Sequence, residues 1–343
     1  MSAVLVTGGA GYVGSHTVKA LAAQGYDVLV YDDLSAGHAE AVRRLQGAGL
    51  SGTIEFVQGD IADKAAVAHA LRDSRAESVC HFAARLLVGE SMEQPLGYYH
   101  ANVTGTLALL QAMAEVGVKH LVFSSTAATF GEPKYVPIDE RHPQQPINPY
   151  GETKLVIERA LPFIERAAGI RSIALRYFNA AGADPDGLIG EDHEPEEHLI
   201  PLAIRAVLGR GSLTVFGDDW PTPDGTCIRD YIHVTDLADA HVAAIRALER
   251  GAQSTAYNLG NGEGISVREV IDTTHKITGR PVPHRIGARR PGDPARLVAS
   301  STRAQSELGW SPSRSLDDII GTAWRWHSRH PQGYGSAHGA DRH

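Results

Sequence analysis

The feature that most constrains the fold lies near the beginning of the chain, where a short β-type run leads directly into a glycine-rich turn. Residues 3–7 read AVLVT, residues 8–14 read GGAGYVG, and a helical pattern follows. Gly9 and Gly11 permit a tight turn and the close approach of a pyrophosphate, and Gly14 lets the helix pack on the sheet. The N-terminus of that helix faces the anion. A strand, a glycine turn and a helix in this order therefore predict a dinucleotide-binding loop.

Acidic residues follow the next two predicted strands. Asp32 closes the strand predicted at residues 27–31, where a carboxylate can accept both ribose hydroxyls of an adenosine. Because that carboxylate would repel a 2′-phosphate, the sequence favours NAD over NADP. The alternative role for Asp32 is that of an acidic turn residue exposed to solvent. The strand predicted at residues 53–57 leads to Asp60 and Ile61, which are expected to flank the adenine.

Strands and helices alternate over the first half of the chain, which is typical of a parallel sheet covered by helices on both faces. Further strands are predicted at residues 78–82, 120–124 and 171–176, and one long helix at residues 93–116. The pattern loosens after residue 180. The predicted fold class is α/β, with a Rossmann-like doubly wound parallel sheet and a smaller α/β substrate-binding lobe.

The predicted domains follow this pattern. Residues 1–178 form the NAD-binding domain and residues 179–330 the substrate lobe, while residues 230–260 return in part to pack on the first sheet. The Gly/His-rich residues 331–343 are expected to form a loose tail.

A tyrosine and a lysine lie four positions apart in a second conspicuous stretch, YGETK at residues 150–154. Pro149 suits the first turn of a helix, on which Tyr150 and Lys154 share one face. An ammonium beside a phenol favours the phenolate, so we expect the pKa of Tyr150 to fall from about 10 toward neutrality, which suits removal of a proton from an alcohol. Thr126 follows the strand predicted at residues 120–124, at its carboxyl end, where its hydroxyl could meet the same substrate atom. The alternatives are a half-buried tyrosine with a surface lysine, and a Ser/Thr turn that caps backbone groups.

Composition argues against several classes of function. A net charge of −8 without a basic block disfavours nucleic acid as a partner. No apolar run approaches the roughly 18 residues of a membrane span and no basic leader precedes the first strand, so neither an anchor nor a signal peptide is expected.

Cys80 and Cys227 are far apart, which favours a reducing, cytoplasmic location. The histidines include no HExxH motif and no metal is expected, although His193 and His198 lie close together in an acidic loop.

Longer strings of residues narrow the interpretation. The segments at residues 7–14, 124–126 and 150–154 are accompanied by HFAA, VGES, LRYFNAAG, DGT, RDYIHVTDLAD and RRPGD, which begin at His81, Val88, Leu175, Asp224, Arg229 and Arg289. From about residue 3 to about residue 328, the chain resembles the extended short-chain dehydrogenase/reductase family and, within it, the UDP-glucose 4-epimerases.

The resemblance implies that NAD stays bound through turnover while UDP-glucose and UDP-galactose are interconverted by transient oxidation at sugar C4 and return of the hydride to the other face. It implies that Tyr150 is the active-site base, that Lys154 binds the nicotinamide ribose and tunes the phenol, and that Thr126 is their hydroxyl partner. The implied cofactor contacts, besides Tyr150 and Lys154, are Gly8, Gly11, Tyr12, Val13, Gly14, Asp32, Asp60, Ile61, Phe82, Ala83, Asn102, Ser124 and Tyr177.

The same resemblance implies how UDP-hexose substrates are bound. The implied substrate contacts, besides Thr126, are Asn179, His198, Leu199, Val215, Phe216, Arg229, Arg290, Asp293 and Leu297. Two arginines suit a diphosphate, because guanidinium groups bind its oxygens in pairs; the alternative is that they form salt bridges with Asp230 or Asp293. A homodimer through helices at residues 93–116 and 150–168 is implied as well.

The sequence departs at three places from some members of the family that it resembles. Leu86 stands where a cofactor-contacting lysine often occurs, Ala101 replaces an asparagine, and HEPEEH at residues 193–198 replaces an Asn-Asn-Leu string in the substrate loop. His198 is therefore a candidate sugar or phosphate contact, with a surface role as the alternative. Leu297 stands where a bulky tyrosine restricts N-acetylated sugars and a smaller residue admits them, so some activity on UDP-GlcNAc and UDP-GalNAc is expected.

Other activities on the same scaffold stay open. A UDP-pentose 4-epimerase or a UDP-glucuronate decarboxylase would carry very similar strings, and a net NAD-dependent dehydrogenase would release NADH. A 4,6-dehydratase is disfavoured, because such enzymes place Asp-Glu where this chain has Ala127 and Ala128. A non-catalytic NAD-binding protein would usually have lost Tyr150 or Lys154.

Overall fold

A parallel β-sheet is the central element of the computed structural model, which describes residues 2–290 and 292–335. The strands are β1 (Ala3–Thr7), β2 (Asp27–Asp32), β3 (Ile54–Gln58), β4 (Ser78–His81), β5 (His120–Thr126), β6 (Arg171–Tyr177), β7 (Asn179–Ala181), β8 (Leu213–Phe216), β9 (Ile228–Arg229), β10 (Tyr231–His233), β11 (Thr255–Leu259), β12 (Ile265–Ser266), β13 (His284–Gly287) and β14 (Arg296–Leu297). Seven of them pair in parallel in the order β3-β2-β1-β4-β5-β6-β11. The strand order reverses between β1 and β4, so their carboxyl ends open the crevice in which such sheets bind ligands.

Helices cover both faces of this sheet. Within the described residues they are α1 (Tyr12–Ala23), α2 (Ala39–Gln46), α3 (Lys64–Asp73), α4 (Val88–Glu93), α5 (Pro95–Tyr98), α6 (Gly105–Val116), α7 (Pro149–Ala168), α8 (Leu199–Val207), α9 (Val234–Glu249), α10 (Val267–Thr278), α11 (Thr302–Leu308) and α12 (Leu316–Arg329). Helices α1, α2 and α9 pack on one face, and α3, α6 and α7 on the other. The central strand β1 is apolar along its length and its Val4, Leu5 and Val6 are at most 1% exposed, as expected of a strand buried on both faces. The predicted fold class is confirmed.

A smaller lobe is built from later parts of the chain. It contains the strand pair β8 and β13 and the three-stranded set β12-β9-β14, with α8, α10 and α12 packed together around two apolar clusters. By contrast, β11 extends the first sheet and α9 packs on α1, so the chain crosses between the two lobes more than once. The boundary predicted at residue 178 stays a prediction. Among the described residues, no helix combines the length and apolar character needed to cross a lipid bilayer.

The helix predicted over most of residues 93–116 is present from Pro95 to Val116, where α5, a π-helical segment at Tyr99–Thr104 and α6 follow one another without a break. The start of the prediction is wrong, because Glu93 ends the separate helix α4. Pro95 lacks the amide hydrogen that would continue α4. The π-helical segment carries the buried Asn102, whose side chain bonds the Arg85 amide at 2.8 Å, the Arg85 carbonyl oxygen at 3.0 Å and Thr153 Oγ1 at 3.0 Å. Asn102, a predicted cofactor contact, therefore joins the segment after β4 to α7.

The tail predicted to be loose from residue 331 is partly ordered. The Tyr334 amide donates to Asp192 Oδ2 at 2.8 Å, and its hydroxyl lies 3.0 Å from the Gly190 amide nitrogen. The Arg44 guanidinium lies 5.3 Å from the centre of the Tyr334 ring. Residues 331–335 are thus held by these contacts, which the Gly/His-rich composition concealed. The remainder of the predicted tail lies outside the described residues.

Candidate active site

The predicted phosphate loop connects β1 to α1, and close backbone contacts require its glycines. Gly8 has a φ of +70°, and a Cβ there would lie 2.5 Å from the Ala83 amide nitrogen. A Cβ on Gly14 would lie 2.1 Å from the carbonyl oxygen of Gly8. No other residue type fits either position without a backbone shift. The loop is therefore closed tightly against the segment that follows β4.

The N-terminus of α1 is left free by this loop. Gly11 precedes the helix in an extended conformation and supplies no side-chain cap. The first amides of an α-helix, here those of Tyr12, Val13 and Gly14, have no partner within the helix and bind anions readily. The Tyr12 hydroxyl donates to the Gly182 carbonyl oxygen at 2.7 Å, which joins this turn to the segment leading into the smaller lobe. Free amides behind a glycine turn fit the pyrophosphate of a dinucleotide.

Asp32 ends β2, and two backbone amides orient its buried carboxylate. Ala10 donates to Oδ2 at 3.0 Å and Leu34 donates to Oδ1 at 2.8 Å. Burial raises the pKa of Asp32, and these two hydrogen bonds oppose the rise. A Cβ on Gly37 would lie 2.9 Å from Oδ1, so the backbone passes close to the carboxylate. The two oxygens keep unused lone pairs, which fits a carboxylate that accepts from two ribose hydroxyls.

The other predicted cofactor contacts follow β3 and β4. Asp60 is exposed and its Oδ1 accepts from the Ala62 amide at 2.8 Å. Ile61 is buried in the apolar cluster beneath α3 and α6, so its side chain mainly supports the sheet. The ring of Phe82, directly after β4, packs 4.6 Å from that of His241 on α9. These residues line one edge of the sheet at different depths.

Tyr150 lies in the first turn of α7, whose N-terminus is well defined. Asn148 Oδ1 accepts from the Gly151 amide at 2.8 Å, and Pro149 occupies the first helical position. This cap and this proline fix where the helix begins. The hydroxyl of Tyr150 lies beside that of Thr126, the last residue of β5. The structure thus brings together the two hydroxyls that the sequence placed in one site.

Lys154 is deeply buried one turn further along α7. The residue is only 3% exposed, and its Nζ donates to the Ser124 carbonyl oxygen at 2.9 Å. Nζ also lies 5.0 Å from the centre of the Phe123 ring. The Ser124 and Tyr177 hydroxyl oxygens are 2.5 Å apart. Lys154, Ser124 and Tyr177 therefore form one polar group under the hydroxyls of Tyr150 and Thr126.

The expected fall in the pKa of Tyr150 is wrong for the protein alone. Removal from water raises the pKa of Tyr150, and the hydrogen bond with Thr126 only partly opposes this. Burial lowers the pKa of Lys154 to about 7, although the charge of Glu158 works in the other direction. The ammonium is directed at a backbone carbonyl and is itself destabilised by burial, so it does not dominate the ionisation of the phenol.

A buried ion pair supports this group, and the sequence analysis did not identify it. Arg176 Nε donates to both carboxylate oxygens of Glu158 at 3.0 Å, and both side chains are less than 10% exposed. Ser125 Oγ donates to the same carboxylate. The available signal was Glu158 itself, a charged residue four positions after Lys154 in an otherwise apolar helical stripe.

The two predicted diphosphate-binding arginines converge on one carboxylate. Arg229 donates to the Pro294 carbonyl oxygen at 2.8 Å and lies 3.4 Å from Asp293 Oδ1. Arg290 lies 3.8 Å from Asp293 Oδ2, with its guanidinium 4.1 Å from the centre of the Phe216 ring. The salt-bridge alternative is thus realised with Asp293, and the same arrangement places two guanidinium groups side by side.

The remaining predicted substrate contacts divide into two groups. Asn179 Nδ2 donates to the Asp230 carbonyl oxygen at 2.9 Å, and Leu297 on β14 pairs with Arg229 on β9. Val215 is 3% exposed and lies in an apolar cluster of the smaller lobe, and Leu199 packs partly against the same cluster. The Val215 side chain thus packs within the smaller lobe, and the assignment of Val215 to the substrate stays a prediction.

His198 precedes α8 and lies in a compact group of four side chains. Its Nδ1 is 2.8 Å from Glu191 Oε1 and 3.0 Å from Glu196 Oε1, and His193 belongs to the same group. Burial lowers the pKa of His198, but the neighbouring carboxylates outweigh it and hold that pKa well above its usual value. Glu191 and Glu196 were not identified from the sequence, although the HEPEEH string indicated part of the group.

A sequence profile of the NAD dependent epimerase/dehydratase family matches residues 4–260. The chain belongs to that family. Among its members, a UDP-glucose 4-epimerase of Halalkalibacterium halodurans is 52% identical over 97% of this chain and 97% of the relative. The resemblance stated from the motifs is therefore confirmed.

Solved structures of family members agree with the fold. The crystal structure of UDP-glucose 4-epimerase from Brucella ovis in complex with NAD has a TM-score of 0.90 at 49% identity, covering 94% of this chain and 98% of that one. A second, from Stenotrophomonas maltophila with bound NAD and formylated UDP-arabinopyranose, has a TM-score of 0.94 at 41% identity, covering 97% of this chain and 99% of that one. The family likeness thus extends over both lobes.

Proposed function

We propose that this chain is an isomerase that interconverts UDP-glucose and UDP-galactose by inverting C4 of the sugar. The observation that carries the proposal is the convergence of Tyr150, Thr126 and Lys154 at the carboxyl end of β5, on the same sheet edge as a glycine loop that fits a dinucleotide. It is supported by full-length relatives that carry the name of this activity, one of them solved in complex with NAD.

The cofactor-binding residues are the amides that begin α1 and the carboxylate of Asp32. NAD bound there would supply a hydride acceptor for sugar C4. Tyr150 Oη removes the proton of the 4-hydroxyl group and later returns a proton to the same oxygen. Thr126 donates or accepts a hydrogen bond at that oxygen. The Lys154 ammonium stabilises the negative charge of the Tyr150 phenolate.

The nucleotide part of the substrate provides the binding free energy in this proposal. Arg229 and Arg290 bind the diphosphate oxygens, and Asp293 gives up part of its contact with both guanidinium groups. Because inversion requires that either face of the sugar be presented to the cofactor, contacts to the sugar ring must be weaker than those to the diphosphate. Asn179 and Leu297 are the candidate contacts on that side.

The proposal is tested by proton NMR of UDP-galactose incubated with the purified protein and no added NAD. We expect UDP-glucose signals to grow to a fixed ratio, from either direction, while no NADH absorbance accumulates. Steady release of NADH would indicate a net dehydrogenase. Loss of the sugar carboxyl group from UDP-glucuronate, with no action on UDP-galactose, would indicate a decarboxylase.

The range of sugars is a finer prediction. Leu297 is smaller than a tyrosine and lies beside Arg229, so we expect some conversion of UDP-GlcNAc to UDP-GalNAc. UDP-arabinose is the test for the pentose alternative. Conversion rates of the three substrate pairs in one NMR series decide between them, and complete inactivity on UDP-GalNAc would contradict the prediction drawn from Leu297.

We also propose a homodimer located in the cytoplasm. The helical regions predicted to pair expose Leu96, Tyr99 and Phe163, which are 85%, 40% and 66% exposed in the single chain. Large apolar side chains exposed together favour a protein interface. Light scattering of the purified protein should give twice the mass of the chain, and Phe163→Glu should shift it toward the monomer.

A further inference from the structure

Four side chains in the loop that precedes α8 converge as metal ligands do. We call them the 191–198 cluster: Glu191, His193, Glu196 and His198. One nitrogen or oxygen from each lies within 4.8 Å of those of the other three. The spacing along the chain is Glu-x-His-x-x-Glu-x-His, so one short loop supplies all four.

The distances within the 191–198 cluster suit a small dication. His193 Nδ1 lies 3.3 Å from Glu191 Oε1, and His198 Nδ1 lies 2.8 Å from Glu191 Oε1 and 3.0 Å from Glu196 Oε1. In a tetrahedral zinc site with bonds of about 2.0–2.1 Å, neighbouring ligand atoms are about 3.3 Å apart. Separations within the cluster reach as much as 4.8 Å, so the side chains must close in further for one ion to contact all four.

Several buried atoms of the cluster lack a hydrogen-bond partner in the part of the chain that the structure describes, whereas Glu196 Oε1 accepts from the Glu197 and His198 amides at 2.9 Å. The Glu191 and Glu196 side chains are 2% and 0% exposed. Among the described residues, Glu191 Oε1, Glu196 Oε2 and His193 Nδ1 have no hydrogen-bond partner, even though Glu191 Oε1 has a ring nitrogen 2.8 Å away. The Glu191 carboxylate therefore lies close to two ring nitrogens without a well-directed hydrogen bond at Oε1. Such buried polar atoms are costly unless a further group binds them.

The charge of the cluster points to the same kind of ligand. Metal binding requires both imidazoles to be neutral, and with two carboxylates the ligand set then carries a total charge of −2, which a single divalent cation neutralises. Imidazole and carboxylate together suit zinc and similar first-row metals, whereas calcium and magnesium prefer oxygen ligands alone. Four protein ligands leave no open position for a substrate, which is typical of a structural site.

We propose that the 191–198 cluster is a structural binding site for a divalent transition metal of the zinc class. The ion joins the loop to both sides of the cleft. His193 packs edge-on to Tyr12 at the start of α1, with ring centres 6.1 Å apart, and the Glu191 carbonyl oxygen accepts from Trp326 Nε1 of α12 at 2.9 Å. His198 is the residue before α8. Binding therefore stabilises the position of α8 relative to the phosphate loop and takes no part in hydride transfer.

The test is a titration of the chelator-treated, full-length protein with Zn²⁺ alone, followed by calorimetry and thermal unfolding. We expect about one ion per chain and a rise in Tm of at least about 2 °C. Replacement of zinc by Co²⁺ should give the intense visible absorption of four-coordinate cobalt. Glu191→Gln and His193→Asn should each weaken binding at least tenfold.

The matched control is His69→Asn, since His69 is an exposed histidine paired with Asp73 at 3.2 Å. It should bind zinc like the parent protein. If Glu191→Gln does not fold, the cobalt spectrum of the parent protein still decides. The proposal is overturned if the parent shows no saturable binding, if bound cobalt gives the weak spectrum of a six-coordinate ion, or if His193→Asn binds zinc as tightly as His69→Asn. The absence of saturable binding would mean that protons, and not a metal, balance the charge of the cluster.

Discussion

The two sides of the cleft differ in how firmly their polar groups are held. On the cofactor side, Lys154 and Asp32 are 3% and 6% exposed, and both are hydrogen-bonded to backbone atoms. On the nucleotide-sugar side, the Arg290 side chain is 57% exposed and rests on an aromatic ring and on Asp293. The cofactor-side groups are fixed before any ligand binds, while Arg290 is held by side chains that can move. Arg229, its neighbour, is intermediate, because its side chain is 14% exposed and also donates to backbone carbonyl oxygens.

This difference matches the two ligands that the proposed reaction needs. A site that is fixed in advance loses little conformational entropy on binding and can retain its ligand. On the other side, Arg229 and Arg290 exchange contacts with Asp293 for contacts with the diphosphate, and they return to Asp293 when the product leaves. We therefore expect changes on the cofactor side to abolish the reaction and changes on the other side to alter affinity. The following predictions test this contrast.

The largest effect is expected for Tyr150→Phe. Loss of the hydroxyl that moves the proton should reduce kcat by about 10²- to 10⁴-fold, while the Kd for UDP stays within about threefold. The exposed Tyr135, whose hydroxyl donates to Asp139, offers the matched control Tyr135→Phe, which should retain full activity. A Tyr150→Phe variant with near-normal turnover would remove Tyr150 from the base role.

The second effect concerns the phosphate loop. Gly14→Ala introduces a Cβ 2.1 Å from the Gly8 carbonyl oxygen, so the turn must shift and the purified protein should contain much less NAD and unfold at a lower temperature. Overpacking of this kind costs about 1–3 kcal/mol. Gly321 is also helical but has open space around its Cα, so Gly321→Ala should keep NAD and gain stability. Equal NAD content in both variants would show that the loop does not bind the cofactor.

A smaller effect is expected from a pair of neighbouring arginines. Arg290→Gln should weaken UDP binding by about 10- to 100-fold, because one charge-assisted pair of hydrogen bonds to the diphosphate is lost. Arg289 instead pairs with Asp219 at 2.7 Å and stacks on Trp220, so Arg289→Gln should change the Kd by less than about threefold. Calorimetric titration with UDP compares the two. Equal losses would indicate a general charge effect and no specific diphosphate contact at Arg290.

The smallest effect concerns the ionisation of Lys154 in protein stripped of nucleotide. Burial lowers the pKa of Lys154 to about 7, from 10.5 in the unfolded chain. Between these values the unfolded chain binds more protons than the folded one, so this residue makes stability rise with pH, by about 1 kcal/mol per pH unit. Lys154→Met should remove that slope, and the exposed Lys119→Met should not. Denaturant unfolding at pH 7, 8 and 9 measures it, and parallel curves for Lys154→Met and the parent would contradict the shift.

Local patterns were sufficient to predict the cofactor side. The glycines of the phosphate loop, Asp32 at the end of β2 and the start of α7 depend on contacts within a few residues or within one strand-turn-helix unit. The alternation of strands and helices then determined the sheet, because parallel strands need crossover helices. The roles assigned to Asp32 and to Tyr150 stay predictions, but their positions in the fold followed from the sequence.

Features that depend on distant parts of the chain were not predictable in the same way. The pKa of Tyr150 depends on burial and on where Lys154 finds its partner, and that partner is a carbonyl group on β5. The sequence did not show that the Val215 side chain packs into an apolar cluster while that of Phe216, the next residue along the strand, contacts Arg290. The 191–198 cluster includes Glu191, which lies outside the string that drew attention to this loop.

One isotope measurement tests the central claim most directly. UDP-galactose is incubated with the protein in D₂O, without added NAD, and the sugar C4 position is followed by NMR. If the hydrogen leaves C4 as a hydride, stays on the protein-bound cofactor and returns, UDP-glucose forms and both sugars keep protium at C4. Deuterium at C4 would mean that C4 loses a proton to solvent, and the absence of UDP-glucose would mean that the chain does not catalyse this inversion; either result would contradict the account.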